Sequence, residues 1–230
     1  MAEAAVKRTP GRGCFISFEG GEGSGKSTQI KLLAERLATA KLRVIVTREP
    51  GGSVGAEIIR HLVLSGMGKL LGPEAETLLF AAARDDHVRT IIEPALKQGL
   101  WVLCDRFSDS TRVYQGALGK VTPSVLNAMQ RVTIGDLKPD LTIILDVPIE
   151  VGLKRAAARR GTGAADRFEA EDVKFHQQLR EAYRQIATAE PQRCVLIDAT
   201  PEPNIVAAHI WTALRDRFLA TATGNVTSPA

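Results

Sequence analysis

The sequence predicts an α/β domain built on a parallel sheet with helices on both faces, and three observations predict it. Five short runs, 14–18, 42–47, 101–105, 140–146 and 193–198, are rich in Val, Ile and Leu and do not alternate with polar residues. Strands covered on both faces read this way. Helical patterns separate the runs, and alternating β and α elements favour parallel pairing through crossover helices. The first run leads directly into Gly20-Gly-Glu-Gly-Ser-Gly-Lys-Ser27, a complete G-x-x-x-x-G-K-[ST] string. Such a loop needs a strand to aim it and a helix N-terminus to finish it.

Taken in order, run 14–18 delivers this loop. Its glycines let backbone N–H groups converge on phosphate oxygens without Cβ clashes, and the helix dipole adds positive potential at the same point. Gly20, Gly21, Glu22, Gly23, Ser24, Gly25, Lys26, Ser27 and Thr28 are therefore candidate contacts to a nucleoside triphosphate. Lys26 is expected at the β- and γ-phosphates and Ser27 on Mg²⁺. A Gly-rich turn without a ligand is the bland alternative. The dinucleotide fingerprint G-x-G-x-x-G fails because Lys26 stands at the third glycine's place, which disfavours a nicotinamide or flavin enzyme. After the loop, Ile30, Leu33, Ala34, Leu37 and Ala38 recur at helical spacing. Further helices are predicted over 54–65, 73–98, 109–118, 122–136, 149–160, 169–189 and 203–219, punctuated by Gly72, Gly99 and Pro201.

In open parallel sheets, ligands bind beyond the carboxyl ends of the strands. The second run ends in Thr47-Arg-Glu-Pro-Gly-Gly52, the third in Asp105-Arg-Phe107, the fourth in Asp146 and the fifth in Asp198-Ala-Thr-Pro201. This charged rim beside a phosphate loop suits a polyanion and a metal. Arg48 and Arg106 are placed to fork onto a phosphate-bearing substrate, the alternative being simple pairing with their neighbours Glu49 and Asp105. Asp105 is the favoured acid for organising Mg²⁺, with Asp146 its rival. Phe80 and Arg84, four apart on a helical pattern, could stack on a base and donate to its carbonyl, though a Phe in such a helix is more often core. His87 reads as structural. Segment 154–168 carries Arg155, Arg159, Arg160 and Arg167 around a Gly-containing loop, a candidate lid able to close over a transferred phosphate; a solvated basic helix end is the alternative.

The composition bounds these readings. The chain has 230 residues, 44% of them hydrophobic, and carries 30 Lys+Arg against 26 Asp+Glu for a net charge of +4. One α/β domain fits that length, and so mild a basic excess does not argue for nucleic acid. Cys14, Cys104 and Cys194 each lie in or beside a strand-like run, so buried reduced thiols and a reducing compartment are expected. No apolar stretch is long enough for a membrane span, and the N-terminus lacks the apolar core of a secretion signal. Residues 1–12 and 220–230 read as flexible tails around a domain at 13–219, with the lid at about 156–168.

At this point the chain resembles the bacterial thymidylate kinases over roughly residues 13–215. The resemblance rests on Phe18-Glu-Gly-Gly-Glu-Gly-Ser-Gly-Lys-Ser-Thr28, Thr47-Arg-Glu-Pro-Gly-Gly52, Leu79-Phe-Ala-Ala-Ala-Arg84 and Asp105-Arg-Phe-Ser-Asp-Ser-Thr-Arg-Val-Tyr-Gln-Gly116, with Pro139 to Asp146 and Gly152-Leu-Lys-Arg155 also fitting. It implies a P-loop kinase fold with five parallel strands, a cytoplasmic homodimer, and transfer of the ATP γ-phosphate to dTMP. It further implies that Phe80 stacks on thymine and Arg84 hydrogen-bonds it, that Gln115 faces the base, and that Tyr114 crowds the sugar 2′ position. Glu22 meets the 3′-hydroxyl, Arg48 and Arg106 hold the acceptor phosphate with Ser110 among the substrate contacts, and Arg155 lies against adenine. The loop itself carries no basic residue at 21–24, which matches the subgroup whose catalytic arginine comes from the lid, here Arg159, Arg160 or Arg167. Partners implied are dTMP and ATP, with no nucleic acid and no membrane. The alternatives are another nucleoside or nucleoside-monophosphate kinase of this fold, or a non-catalytic nucleotide switch; a GTPase's N-K-x-D motif is absent.

Overall fold

In a computed structural model that describes residues 11–161 and 168–218, five parallel strands form one sheet in the order β2-β3-β1-β4-β5. They are β1 (Phe15–Glu19), β2 (Val44–Arg48), β3 (Trp101–Asp105), β4 (Leu141–Asp146) and β5 (Cys194–Asp198). Each strand contributes apolar side chains to both faces. Ile16, Phe18, Leu103, Leu141, Ile143 and Leu145 pack with α1 (Lys26–Thr39) and α9 (Pro203–Phe218) on one side. Phe15, Val102, Cys104 and Ile144 face the turn after α3 (Pro73–His87), α4 (Glu93–Lys97), α6 (Pro123–Ile134) and α8 (Val173–Ala189) on the other. That two-sided burial explains why the runs lack polar alternation. All three cysteines are buried and none forms a disulfide.

Several predicted boundaries shift. The second strand begins at Val44, not 42, and extends through Arg48, which is in register with Asp105 of β3. The 54–65 helix is α2 (Val54–Leu64), started by Ser53, whose hydroxyl accepts the Ala56 N–H. A 3₁₀ turn at Met67–Leu71 follows it, which periodicity did not reveal. The 73–98 helix is continuous through a π-turn at Val88–Ile92 joining α3 to α4. The 109–118 helix begins as α5 (Ser108–Thr111) and runs on as a π-helical stretch, Arg112–Leu118. The 149–160 helix is α7 (Ile149–Arg160), as expected. The 169–189 helix starts later, at Val173, where the Asp172 carboxylate accepts the Phe175 N–H at 2.7 Å. Arg12, assigned to the N-terminal tail, is anchored by an ion pair with Asp140 at 3.0 Å. Residues 1–10 of that tail, residue 219 with the C-terminal tail 220–230, and lid residues 162–167, Arg167 included, lie outside the described residues.

The second face also carries a polar seam. Ser17 and Thr142 hydroxyls meet at 2.8 Å on β1 and β4. Beside them Asp109 of α5 is buried, taking both terminal nitrogens of Arg193 at 2.6 and 3.0 Å and Arg112 at 2.9 Å. Burial opposes ionisation of Asp109, yet the guanidiniums of Arg193 and Arg112 hold its carboxyl below the ordinary range. This seam ties the start of α5 to the far edge of the sheet. Asp109→Ala removes the buried acceptor that Arg193 and Arg112 share, though both keep Glu190 at 2.8 and 2.6 Å, so urea unfolding should show a loss of about 1–3 kcal/mol.

Candidate active site

The strand register sets the carboxyl ends of β2, β3 and β1 side by side, Arg48 against Asp105 and Asp105 against Phe18. Above them opens a cleft of about 420 Å³. The phosphate loop forms one end of it. Glu22, Gly23, Ser24, Gly25, Lys26, Ser27 and Thr28 line the cleft, while Gly20 and Gly21 lie behind it with their carbonyls turned to Lys26 Nζ at 3.0 and 2.9 Å. Glycine is required at Gly23, where φ is 65° and a Cβ would collide with the carbonyl oxygen of Gly152. Burial, then the charge of Arg106, pushes the Lys26 ammonium below its ordinary value. Ser27 donates to Asp105 Oδ2 at 3.2 Å. Asp146, the rival acid, is chelated by Arg180 at 2.6 and 2.9 Å and by Arg184 at 2.7 Å, and is absorbed in that structural pair.

The other end of the cleft is an aromatic and polar wall: Phe80, Arg84, Tyr114, Gln115 and also Phe168, which the sequence reading did not select. Tyr114 sits edge-on to Phe168 with centroids 5.0 Å apart, and its buried hydroxyl lacks a hydrogen-bond partner among the described residues. Arg84 is more deeply committed than expected. Its Nε donates to Glu49 Oε2 at 2.7 Å, Nη1 to Thr111 at 3.0 Å and Nη2 to the Phe107 carbonyl at 3.2 Å. Glu49 in turn meets His87 Nδ1 at 3.1 Å, and His87 Nε2 meets Thr47 at 2.6 Å, so His87 is structural as predicted. Glu49 was missed because its partners come from α3, far along the chain.

Neither predicted phosphate arginine pairs with its chain neighbour. Arg48 is half exposed on the cleft and reaches Glu57 of α2 at 2.7 Å. Arg106 reaches Glu22 at 2.8 Å, lies over the Tyr114 ring, and donates to the Gly20 carbonyl at 3.1 Å. Burial acts against its charge, but Tyr114, Tyr183, Glu22 and Asp105 outweigh it and keep the guanidinium protonated. The two lid arginines separate. Arg159 lines the cleft, 4.0 Å from Glu22, whereas Arg160, also a candidate catalytic arginine, pairs with Glu169 and does not line it. Arg155 lies outside the cleft at the end of β5, donating to the Ala199 and Thr200 carbonyls at 2.8 and 2.9 Å. Glu22 is ionised: burial opposes this, and Arg106, Lys26 and Arg159 override it.

Beneath the cleft, Glu19 at the end of β1 is fully buried. Burial, then repulsion from Asp109, pushes its carboxyl up to about 7 against the attraction of Arg106. In unfolded chain it ionises at its ordinary value near 4.5. Between those values the native state binds a proton the unfolded state has released, so this group's contribution to stability falls as pH rises from 4.5 to 7. The stability difference between the wild type and Glu19→Gln, from urea midpoints at pH 5 and pH 8, should shift against the wild type by on the order of 1–3 kcal/mol. An unchanged difference would place the carboxyl at its ordinary value.

The thymidylate kinase family model matches residues 18–210. The chain is 74% identical over 221 residues to a thymidylate kinase of Bradyrhizobium diazoefficiens, covering 96% of this chain and 97% of that one. It is 72% identical over 230 residues to a thymidylate kinase of Nitrobacter winogradskyi, with full coverage of both. A crystal structure of thymidylate kinase from Ehrlichia chaffeensis superposes with a TM-score of 0.71 at 34% identity, covering 89% of this chain and 99% of that one.

Proposed function

The chain belongs to the thymidylate kinase family, and from that premise we propose that it transfers the γ-phosphate of ATP to dTMP, giving dTDP for dTTP synthesis. One observation carries the reading at the level of the site. The phosphate loop and the aromatic wall open into a single cleft, and Arg106 touches both, through Glu22 and through the Tyr114 ring.

In this reading ATP lies along the phosphate loop, with Lys26 at the β- and γ-phosphates and adenine against Arg155. Thymine occupies the wall, stacked on Phe80 and bonded by Arg84, with Gln115 beside it, Tyr114 against the 2′ position and Glu22 at the 3′-hydroxyl. Ser27 and Asp105 offer two hard oxygens 3.2 Å apart at the loop, a donor set suited to Mg²⁺. When bound, the ion neutralises charge on the β- and γ-phosphates. The acceptor is a phosphate monoester, already mostly dianionic near neutral pH, so no strong general base is needed. Catalysis is positioning and charge neutralisation. Arg106 and Arg48 clamp the acceptor phosphate, Arg48 exchanging Glu57 for it, with Ser110 beside Arg106. Of the lid arginines, Arg159 supplies the charge over the transferred group, supported by its place on the cleft.

We place the enzyme in the cytoplasm, supported by three buried cysteines outside any disulfide, and read it as a homodimer. Val54 and Ile58, four apart on α2, and Leu70 and Leu71 in the turn after it are exposed, the kind of apolar surface a second copy covers. Sedimentation equilibrium should give a dimer for the wild type and a shift toward monomer for Ile58→Glu.

An ADP-release assay with ATP, Mg²⁺ and dTMP, dUMP, dCMP, dGMP or thymidine tests the activity. Fastest turnover is expected with dTMP and none with thymidine; the reverse order would make the chain a nucleoside kinase. In the same assay Lys26→Ala and Arg159→Ala should each lower kcat by about 10²-fold or more, while Arg160→Ala stays within about threefold, as for loss of a surface ion pair.

A further inference from the structure

We propose that Glu19, outside the phosphate-loop string and out of reach of any ligand, is a positioning residue that sets Arg106 in place to grip the acceptor phosphate. The proposal rests on the reading of Arg106 as that grip. Its premise is a strained turn. Arg106 has φ of 69°, a left-handed conformation that a side chain with a Cβ adopts at an energetic cost and that persists only when its surroundings impose it.

The Arg106 backbone is held by the Phe18 carbonyl at 2.9 Å and the Cys104 thiol at 3.0 Å, and the contacts that fix the turn after it and its side chain converge on one carboxylate. Glu19 Oε1 accepts the N–H of Phe107, the residue directly after the strained one, at 2.8 Å. Its Oε2 accepts the Ser110 hydroxyl at 2.7 Å and the Tyr183 hydroxyl at 2.9 Å. Those same two hydroxyl oxygens receive Arg106 Nη1 at 3.4 and 3.3 Å. The carboxylate thus fixes the turn through the backbone on one side. On the other, it orients two hydroxyls so that their lone pairs face the guanidinium. Tyr183 belongs to α8, the helix that follows the lid, and is fully buried. Three segments distant in sequence, the end of β1, the turn after β3 and α8, are joined at this point, and Arg106 is what they hold in common.

The reason for an acid here, and not an amide, is acceptor capacity. Three donors point at Glu19, and a carboxylate has lone pairs for all of them, whereas a Gln presents one oxygen and two N–H donors. With Gln the hydroxyls of Ser110 and Tyr183 must turn to accept from the amide, and their alignment toward Arg106 is lost. The loss falls on recognition of the phosphate and not on the base or on ATP.

The test compares dTMP with thymidine, which lacks only the phosphate, by titration calorimetry at pH 8, where Glu19 is ionised. In Glu19→Gln the affinity for dTMP should fall about tenfold or more, the scale of hydrogen bonds to a charged group, while thymidine and ATP affinities stay within about twofold. In steady state KM for dTMP should rise while KM for ATP holds. Tyr183→Phe keeps the packing and removes the hydroxyl; its dTMP-to-thymidine affinity ratio should fall roughly three- to tenfold. It decides the matter alone if Glu19→Gln fails to fold. An unchanged dTMP-to-thymidine ratio, or parallel loss of both ligands, would overturn the role of Glu19. Arg106→Ala separates the two levels: full dTMP affinity in that variant overturns the reading of Arg106 itself, whereas lost affinity there with an unchanged ratio in Glu19→Gln removes only the positioning role.

Discussion

Two cations, Lys26 and Arg106, stand close together beneath one small cleft, and the rest of the site is arranged around keeping them there. Both donate to the same carbonyl oxygen, that of Gly20, at 3.0 and 3.1 Å. Neither could remain charged in a buried setting without compensation. Lys26 receives it from the Gly21 carbonyl as well, and Arg106 from Glu22. The loop therefore carries stand-ins for phosphate: backbone carbonyls and one carboxylate occupy the donors a nucleotide later claims. Because the dipoles and charges are already aimed, the reaction needs little reorganisation when phosphate groups replace those stand-ins.

The same constraint accounts for the length of β1 and the turn after β3. The phosphate loop can aim at the cleft only if β1 ends level with Asp105, and the parallel register of Phe18 with Asp105 sets that. The polar seam then secures the lower layer. Ser17, Thr142 and Asp109 hold α5 against β4, and Arg193 carries the tether to β5. These are fixed, fully satisfied contacts on rigid elements, which keep a positioned guanidinium from drifting. Glu22, by contrast, joins the loop to Arg106 and stands 4.0 Å from Arg159, so one carboxylate links the phosphate loop, the turn after β3 and the last turn of α7.

How much of this was legible in the sequence follows from the range of each interaction. The phosphate loop was, because its chemistry is contained in eight consecutive residues and needs only the flanking strand and helix. The sheet was, because two-sided burial leaves an apolar run. The π-stretches at Val88–Ile92 and Arg112–Leu118 were not, since one extra residue per turn displaces the helical pattern by less than its own irregularity. Pairings that cross the fold were also hidden. Glu49 finds Arg84 and His87 on α3, Arg48 finds Glu57 on α2, and Arg160 finds Glu169. Residue type suggested cations for phosphate, but only packing decides which acid each one faces first. Arg159 and Arg160 are adjacent in sequence and about 100° apart around a helix, so one looks into the cleft and the other away.

The two ends of the cleft are satisfied to different degrees, and that difference bears on the order of events. At the phosphate end the donors of Lys26 and Arg106 are already paired within the protein, so an incoming phosphate exchanges partners and gains only the difference between them. At the wall, Arg84 uses three of its five N–H groups on Glu49, Thr111 and Phe107, and the Tyr114 hydroxyl has no hydrogen-bond partner among the described residues. In the proposed reading a base and sugar at this wall supply partners for those groups. The wall thus gains, in that reading, new hydrogen bonds with the part of the acceptor remote from the chemistry, while the phosphate end exchanges its internal partners for phosphate oxygens, on which charge develops during transfer. Arg84 is suited to link the two ends: its Nη2 holds the Phe107 carbonyl, one residue from Arg106, so the side chain proposed to meet the base also braces the turn proposed to meet the phosphate.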